Sequence, residues 1–190
     1  YGYLSVNGGF KIKKLWNSYS INTKANIGPN NGRKYSKEDK IFLKDSNFKK
    51  IREIKLDYSE SVDNIIRIIK GTNFDYFSTK AQNQFLNEKF SVTKLADRMG
   101  IRLNGCKLEN IVTTNIKSEG LVRGVIQVPA DGDPIIMLSD HGTIGGYPKI
   151  GVVISADLDR VGQLTPGSTI SFKEVSLEEA QNIFKAYIED

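Results

Sequence analysis

The feature that most restricts this chain is a series of short β-branched runs, each too brief for an independent helix. Ile65-Ile-Arg-Ile-Ile69 ends at Gly71, Val125-Ile-Gln-Val128 ends at Pro129, and Ile135-Ile-Met-Leu138 runs into Ser139-Asp140. Ile150 to Ala156 and Ser168 to Phe172 follow. Runs of this length and composition suit strands buried in a sheet or barrel. Pro129-Ala-Asp-Gly-Asp-Pro134 separates two of them, with Asp131-Gly132 as a hairpin turn and each proline at a strand margin. Val92 to Leu95 and Ile101 to Leu103 flank Asp97-Arg-Met-Gly100, a tight connection, and Gly105 closes the second segment. Helix signals are few. Ser78 caps a helix predicted over 79–88, whose Ala81, Phe85 and Leu86 share the face that covers a barrel or sheet opening. Residues 157–163 suit one or two helical turns, and Ser176-x-x-Glu179 is a capping box that opens a helix over 177–189. Strands outnumber helices without β-α-β alternation. The fold class is therefore mainly β, a closed or nearly closed antiparallel barrel with accessory helices rather than a doubly wound sheet.

Residues 1–57 read as the C-terminal part of a first β-rich lobe, separate from the barrel, with Leu4/Val6, Ile41/Leu43 and Ile51 to Leu56 as strand candidates. Asn7-Gly8-Gly9 and Gly28-Pro29-Asn30-Asn31-Gly32 punctuate them. Residues 58–64 are polar and form the candidate linker; residues 65–190 form the barrel domain. The net charge of +5 is uneven: residues 1–60 hold 13 Lys/Arg against 6 Asp/Glu, and residues 61–190 hold 14 against 16. A basic lobe suits anionic substrates or an acidic partner. Nucleic acid is disfavoured because the positives are spread over short strands without an RNA-binding or helix-turn-helix pattern. One cysteine, Cys106, excludes an intramolecular disulfide and reads as intracellular, hence a cytoplasmic expectation. One Cys, one His and scattered carboxylates predict no metal site. No apolar run approaches the roughly 18 to 20 residues of a membrane span. Tyr1-Gly-Tyr-Leu-Ser-Val6 stands where an initiator Met or leader would, so the expectation is a fragment of a longer chain.

Asp140-His-Gly-Thr-Ile-Gly-Gly-Tyr-Pro-Lys149 is the sharpest local feature. Gly142, Gly145 and Gly146 free the backbone to approach a ligand and point amides at an anionic group. Lys149 supplies a cation, Thr143 a hydroxyl and Tyr147 a stacking face. It is no Walker A loop, since Pro148 precedes Lys149 and a strand follows. The competing reading is a glycine-rich bend at a barrel corner. His141, the only histidine, is a candidate for proton transfer or a structural residue. Glu119, in Ser118-Glu-Gly120, is a candidate general base or an ordinary loop residue, and Gln127 orients an amide or lines the barrel. Asp97-Arg98 is a structural ion pair or a substrate clamp. Cys106 is a turn or core residue or, if exposed, a thiolate.

Several segments together resemble a family. Asp97-Arg-Met-Gly-Ile-Arg-Leu-Asn-Gly105, Ser118-Glu-Gly120, Gly124-Val-Ile-Gln-Val-Pro-Ala-Asp-Gly-Asp-Pro-Ile135, Asp140 with Thr143 to Lys149, and Ala156-Asp-Leu-Asp-Arg-Val-Gly-Gln163 occur in the order of the biotin-dependent carboxyltransferase family. Tyr3-Leu-Ser-Val-Asn-Gly-Gly9 also resembles that family's central segment, which implies an N-terminally truncated member. The family includes allophanate hydrolase subunit 2, the carboxyltransferase part of urea amidolyase, the KipI antagonist and the C subunit of bacterial 5-oxoprolinase. The resemblance implies a cyclophilin-like β-barrel. It also implies ATP-dependent opening of 5-oxo-L-proline to L-glutamate, with ATP a co-substrate of a complex and not tightly bound to this chain. The implied partners are an allophanate hydrolase subunit 1-like protein, similar to KipI or the 5-oxoprolinase B subunit, and a protein similar to the 5-oxoprolinase A subunit. One alternative is carboxyl transfer with biotin carried by another polypeptide, because this chain has no Met-Lys-Met acceptor site. Another is a non-catalytic KipI-antagonist-like binding protein. Under the main reading the expected catalytic residues are Glu119, Asp140, His141 and Lys149. The expected substrate-binding residues are Gln127, Gly142, Thr143, Gly145, Gly146, Tyr147 and Arg98. The chain departs from the family pattern at Asn17-Ser18-Tyr19-Ser20, Gly71-Thr72-Asn73 and His141-Gly142.

Overall fold

The computed structural model describes residues 3–45 and 64–189, and the chain divides into two compact units, residues 1–59 and 60–190. The strand expected over Ile51 to Leu56 lies outside the described residues, as does the expected linker apart from Asn64.

In the first unit the described residues form single bridges instead of strands: Phe10 with Leu43, Leu15 with Ser18, and Asn22 with Ile27. Leu4 and Val6, expected in a strand, join no ladder; the chain turns directly after them, where the Gly9 amide donates to the Val6 carbonyl at 3.0 Å. The physical reason is conformational. Trp16, Asn17, Asn26, Asn30, Asn31 and Glu38 all have left-handed φ angles, so no extended run survives more than a few residues.

In the second unit seven strands close into a barrel. They are β1 (Ile65–Lys70), β2 (Phe90–Ala96), β3 (Gly100–Asn104), β5 (Val125–Gln127), β6 (Ile135–Met137), β8 (Lys149–Val153) and β9 (Thr169–Glu174). Two further segments, β4 (Glu119–Gly120) and β7 (Ile144–Gly145), pair in a separate two-stranded ladder. Around the barrel the order is β1-β8-β5-β6-β3-β2-β9, and β9 returns to β1. Every pair is antiparallel except the β1/β9 seam, so the expected antiparallel barrel closes through a single parallel pair. An odd number of alternating strands must close with one parallel pair.

Alternation places Ile66, Ile68, Phe90, Val92, Ile101, Leu103, Ile170 and Phe172 in one buried core. Helix α1 (Thr79–Asn87) starts where Ser78 Oγ accepts from the Ala81 amide at 3.2 Å. It carries Phe85 onto Phe172 and Phe90, with ring centroids 4.6 and 6.3 Å apart. Burying each such side chain contributes about 1.5–3 kcal/mol. A 3-10 turn (Ser155–Asp157) leads into α2 (Leu158–Gln163), and α3 (Leu177–Glu189) sets Ala180 and Ile183 against Ile154, Ala156 and Val175. Among the described residues no helix is long and apolar enough to cross a membrane.

Candidate functional site

Lys149 begins β8, directly after Pro148, and its backbone is gripped from both sides by Asn73. The Lys149 amide donates to Asn73 Oδ1 at 3.1 Å, and the Asn73 amide donates to the Lys149 carbonyl at 3.2 Å. Gly71 lies so close to the Lys149 carbonyl that any Cβ there would overlap it. Held in this way, the Lys149 side chain is 5% exposed, and its Nζ donates to Glu119 Oε2 at 2.5 Å. An ammonium carries three donors. Among the described residues Glu119 is its one acceptor, so two donors remain for an oxygen that approaches past the half-exposed Glu119.

Gln127 reaches the same place through an irregularity in the sheet. On β5 and β8, Ile126 faces Gly151, yet Gln127 faces Lys149 and not Ile150. This bulge puts Gln127 and Lys149 opposite each other; bulges re-aim side chains in this manner. Gln127 is buried, and its Nε2 donates to the Tyr147 carbonyl at 3.0 Å. The β4/β7 ladder then sets Glu119 against Gly145. A Cβ on Gly145 would stand 2.7 Å from Gln127 Nε2 and 2.9 Å from Leu121 Cδ1. One on Gly146 would stand 3.1 Å from the Ile116 carbonyl. Neither of these glycines, nor Gly142, has a left-handed φ. Close approach, not backbone conformation, therefore explains the two that pack tightly, and the segment is neither a barrel corner nor an open loop, since Ile144–Gly145 belongs to a ladder outside the barrel.

The remaining candidates sit apart from this pair in the hydrogen-bond pattern. Arg98 donates from Nε and Nη2 to both oxygens of Asp140, at 2.7 and 2.9 Å, and Asp140 in turn donates its amide to the Arg98 carbonyl at 2.8 Å. Arg98 thus pairs across the fold with Asp140, while Asp97 Oδ1 accepts from the Met99 and Gly100 amides. The hydrogen bonds and charge of Arg98 hold the Asp140 carboxyl below the usual carboxylate range against the smaller cost of burial. A carboxylate so held does not carry a proton near neutral pH. His141 directs Nδ1 at the Gly142 carbonyl, 2.5 Å away. Thr143 contributes its carbonyl to the Leu121 amide at 3.0 Å, and the half-exposed Tyr147 contributes its carbonyl to Gln127. Burial, with the charge of Glu88, pushes the Cys106 thiol up, consistent with a packing residue. Among the described residues no three His, Cys, Asp or Glu side chains converge as a metal site.

Asn73 and Gly71 were not singled out by sequence reasoning as site residues. Their available signal was the departure of Gly71-Thr72-Asn73 from the family pattern, immediately after a strand.

The carboxyltransferase-domain family, subdomains A and B, matches residues 1–174. The chain is 36% identical to the C subunit of 5-oxoprolinase from Haemophilus influenzae over 96% of its length, and 34% identical to that of Escherichia coli over 94%. It spans 59% and 57% of those two relatives. The crystal structure of the K. lactis urea amidolyase superposes with a TM-score of 0.81 at 26% identity, over 97% of this chain and 12% of that one.

Proposed function

This chain belongs to the carboxyltransferase-domain family, and from that premise we propose that it works as part of an ATP-dependent 5-oxoprolinase complex that opens 5-oxo-L-proline to L-glutamate. The observation that supports the substrate is the pair of relatives named as C subunits of 5-oxoprolinase, matched over nearly the whole of this chain. In the reaction the oxygen of water adds to the lactam carbon, and the ring C–N bond breaks with its electrons passing to nitrogen, which is protonated. The carbonyl oxygen gains negative charge on the way. Lys149 is the group suited to that charge, because a buried ammonium with two unused donors stabilises an oxyanion without reorganising. Glu119, paired with it and half exposed, is the proton acceptor for the attacking water. Gln127 acts as a positioning residue, tying the Tyr147 carbonyl to the barrel wall, and Asn73 positions the Lys149 backbone. Gly142, Thr143 and the Tyr147 ring form the flank on which the ring of the substrate rests, and Gly145 and Gly146 let that segment pack against Gln127 and Ile116. Arg98 with ionised Asp140, and His141, frame its outer end. Hydrolysis of ATP supplies the driving force, and two partner proteins, one like allophanate hydrolase subunit 1 and one like the A subunit of 5-oxoprolinase, complete the complex.

The test is turnover in the reconstituted complex. Lys149→Met and Glu119→Gln should each lower the rate of 5-oxoproline opening by about 10²–10³ while the complex still co-elutes; a rate equal to wild type for either variant rejects the assignment. The urea amidolyase superposition favours one second reading, carboxyl transfer between urea and biotin on another polypeptide. Carboxylated urea formed from a biotinylated carrier, with no glutamate from 5-oxoproline, would establish it instead.

A further inference from the structure

The first unit holds a cavity of about 230 Å³ that the reading above does not use. Its lining includes Lys11, Lys13, Lys40, Asn30, Tyr35 and Phe42. Backbone pairing assembles it: the Lys11 amide donates to the Phe42 carbonyl at 2.7 Å and the Lys44 amide to the Gly9 carbonyl at 3.0 Å, which lays residues 9–13 beside 40–44. Residues 3–45 contain nine Lys/Arg and three Asp/Glu, namely Glu38, Asp39 and Asp45. None of these carboxylates lines the cavity. Asp39 is already engaged by Arg33 in two hydrogen bonds, at 2.8 and 3.2 Å. Among the described residues no acidic side chain pairs with Lys11, Lys13 or Lys40. Three like charges around one concavity raise its potential, and a bound anion relieves it.

The lining also narrows the kind of anion. It contains lysines but no arginine, and ammonium groups act as point charges on phosphate oxygens, whereas planar carboxylates favour the arginine fork. The cavity is smaller than the roughly 300–1,000 Å³ that encloses a drug-sized ligand, so it takes a headgroup and leaves the rest of the molecule at the rim. The lining also includes Tyr35 and Phe42, both exposed. We propose that this cavity binds a short polyphosphate chain, free or carried by a nucleotide, through Lys11, Lys13 and Lys40. The proposal is independent of the oxoprolinase assignment.

Calorimetry on the whole chain with inorganic tripolyphosphate, ATP, AMP and a short polyglutamate tests it. Tripolyphosphate and ATP should bind one per chain and weaken about tenfold between roughly 50 and 300 mM salt. Lys11→Gln, Lys13→Gln and Lys40→Gln should each weaken binding about fivefold or more, and the triple variant should abolish it. Lys34→Gln and Lys37→Gln, on exposed lysines outside the cavity, should leave it unchanged. If Tyr35→Ala weakens ATP alone, the ligand is a nucleotide whose ring stacks at the rim; equal affinities for ATP and tripolyphosphate, insensitive to Tyr35→Ala, identify a site for the phosphate chain itself. Three outcomes overturn the proposal: neither compound binds, AMP or a short polyglutamate binds as tightly as ATP, or the Lys34 and Lys37 variants lose as much as the cavity variants.

Discussion

Two ion pairs show how differently the same chemistry behaves at the scale of single residues. Lys149 is buried and must have a partner, because an unpaired buried charge is costly. Arg98 and Asp140, with side chains 61% and 47% exposed, form a surface pair whose energy water and salt screen. Its clearest consequence is a titration, with only a small, screened contribution to stability. Because Arg98 depresses the folded-state pKa of Asp140, the pair's contribution is present above the ordinary value of about 3.9 and fades as pH falls through the lower folded value. Arg98→Gln should therefore move the Asp140 carboxyl resonance midpoint upward in an NMR titration, toward the ordinary carboxylate value. A midpoint that stays in place would show that something other than Arg98 holds the proton off. The roles of residues were partly legible in the sequence. Glu119, Gln127 and Lys149 stood out as polar groups within or just after glycine-bearing segments, but nothing local distinguished them from Asp140 or His141.

Between elements, a buried carboxylate ties β1 to the 3-10 turn before α2. Asp157 is fully buried and accepts from the Arg67 amide at 2.7 Å, from Arg67 Nε at 3.1 Å and from Arg67 Nη2 at 2.5 Å, with Arg160 Nη1 3.5 Å away. Asp157→Ala leaves the part-buried Arg67 without its carboxylate and should cost about 3 kcal/mol, measured as a lower urea midpoint with an unchanged slope. A change within about 0.5 kcal/mol would mean that the apolar contacts of Val161 alone hold this corner. Helix boundaries and hairpins were readable at this scale because capping and turn chemistry are local: Ser78, Ser176 and Asp131-Gly132 each act within a few residues of themselves. The short β4/β7 ladder was not readable. Two-residue strands carry no periodicity, and their pairing depends on where residues 119 and 145 are delivered by the barrel.

For the molecule as a whole, the barrel closes its hydrogen-bonded ring within residues 65–174, and among the described residues its apolar core cluster runs from Ile66 to Phe172. Residues 60–190 expressed alone should therefore unfold cooperatively in urea with native-like circular dichroism; a broad, non-cooperative transition would show that the first unit is needed to complete the fold. The described part of the first unit differs, holding Tyr3, Leu4 and Trp16 largely exposed and few paired backbone segments. By itself the sequence determined the β class, the order of the seven barrel strands along the chain, the helix caps and the hairpin, because β-branched runs, prolines and capping residues act over a few positions. Only tertiary structure decided which strands are neighbours, that β1 and β9 meet in parallel, and that Gln127 slips past Ile150 to face Lys149. It alone joined Lys149 to Glu119 across 30 residues and to Asn73 across 76. Register and closure depend on all strands being satisfied at once, and no short stretch of sequence carries that information.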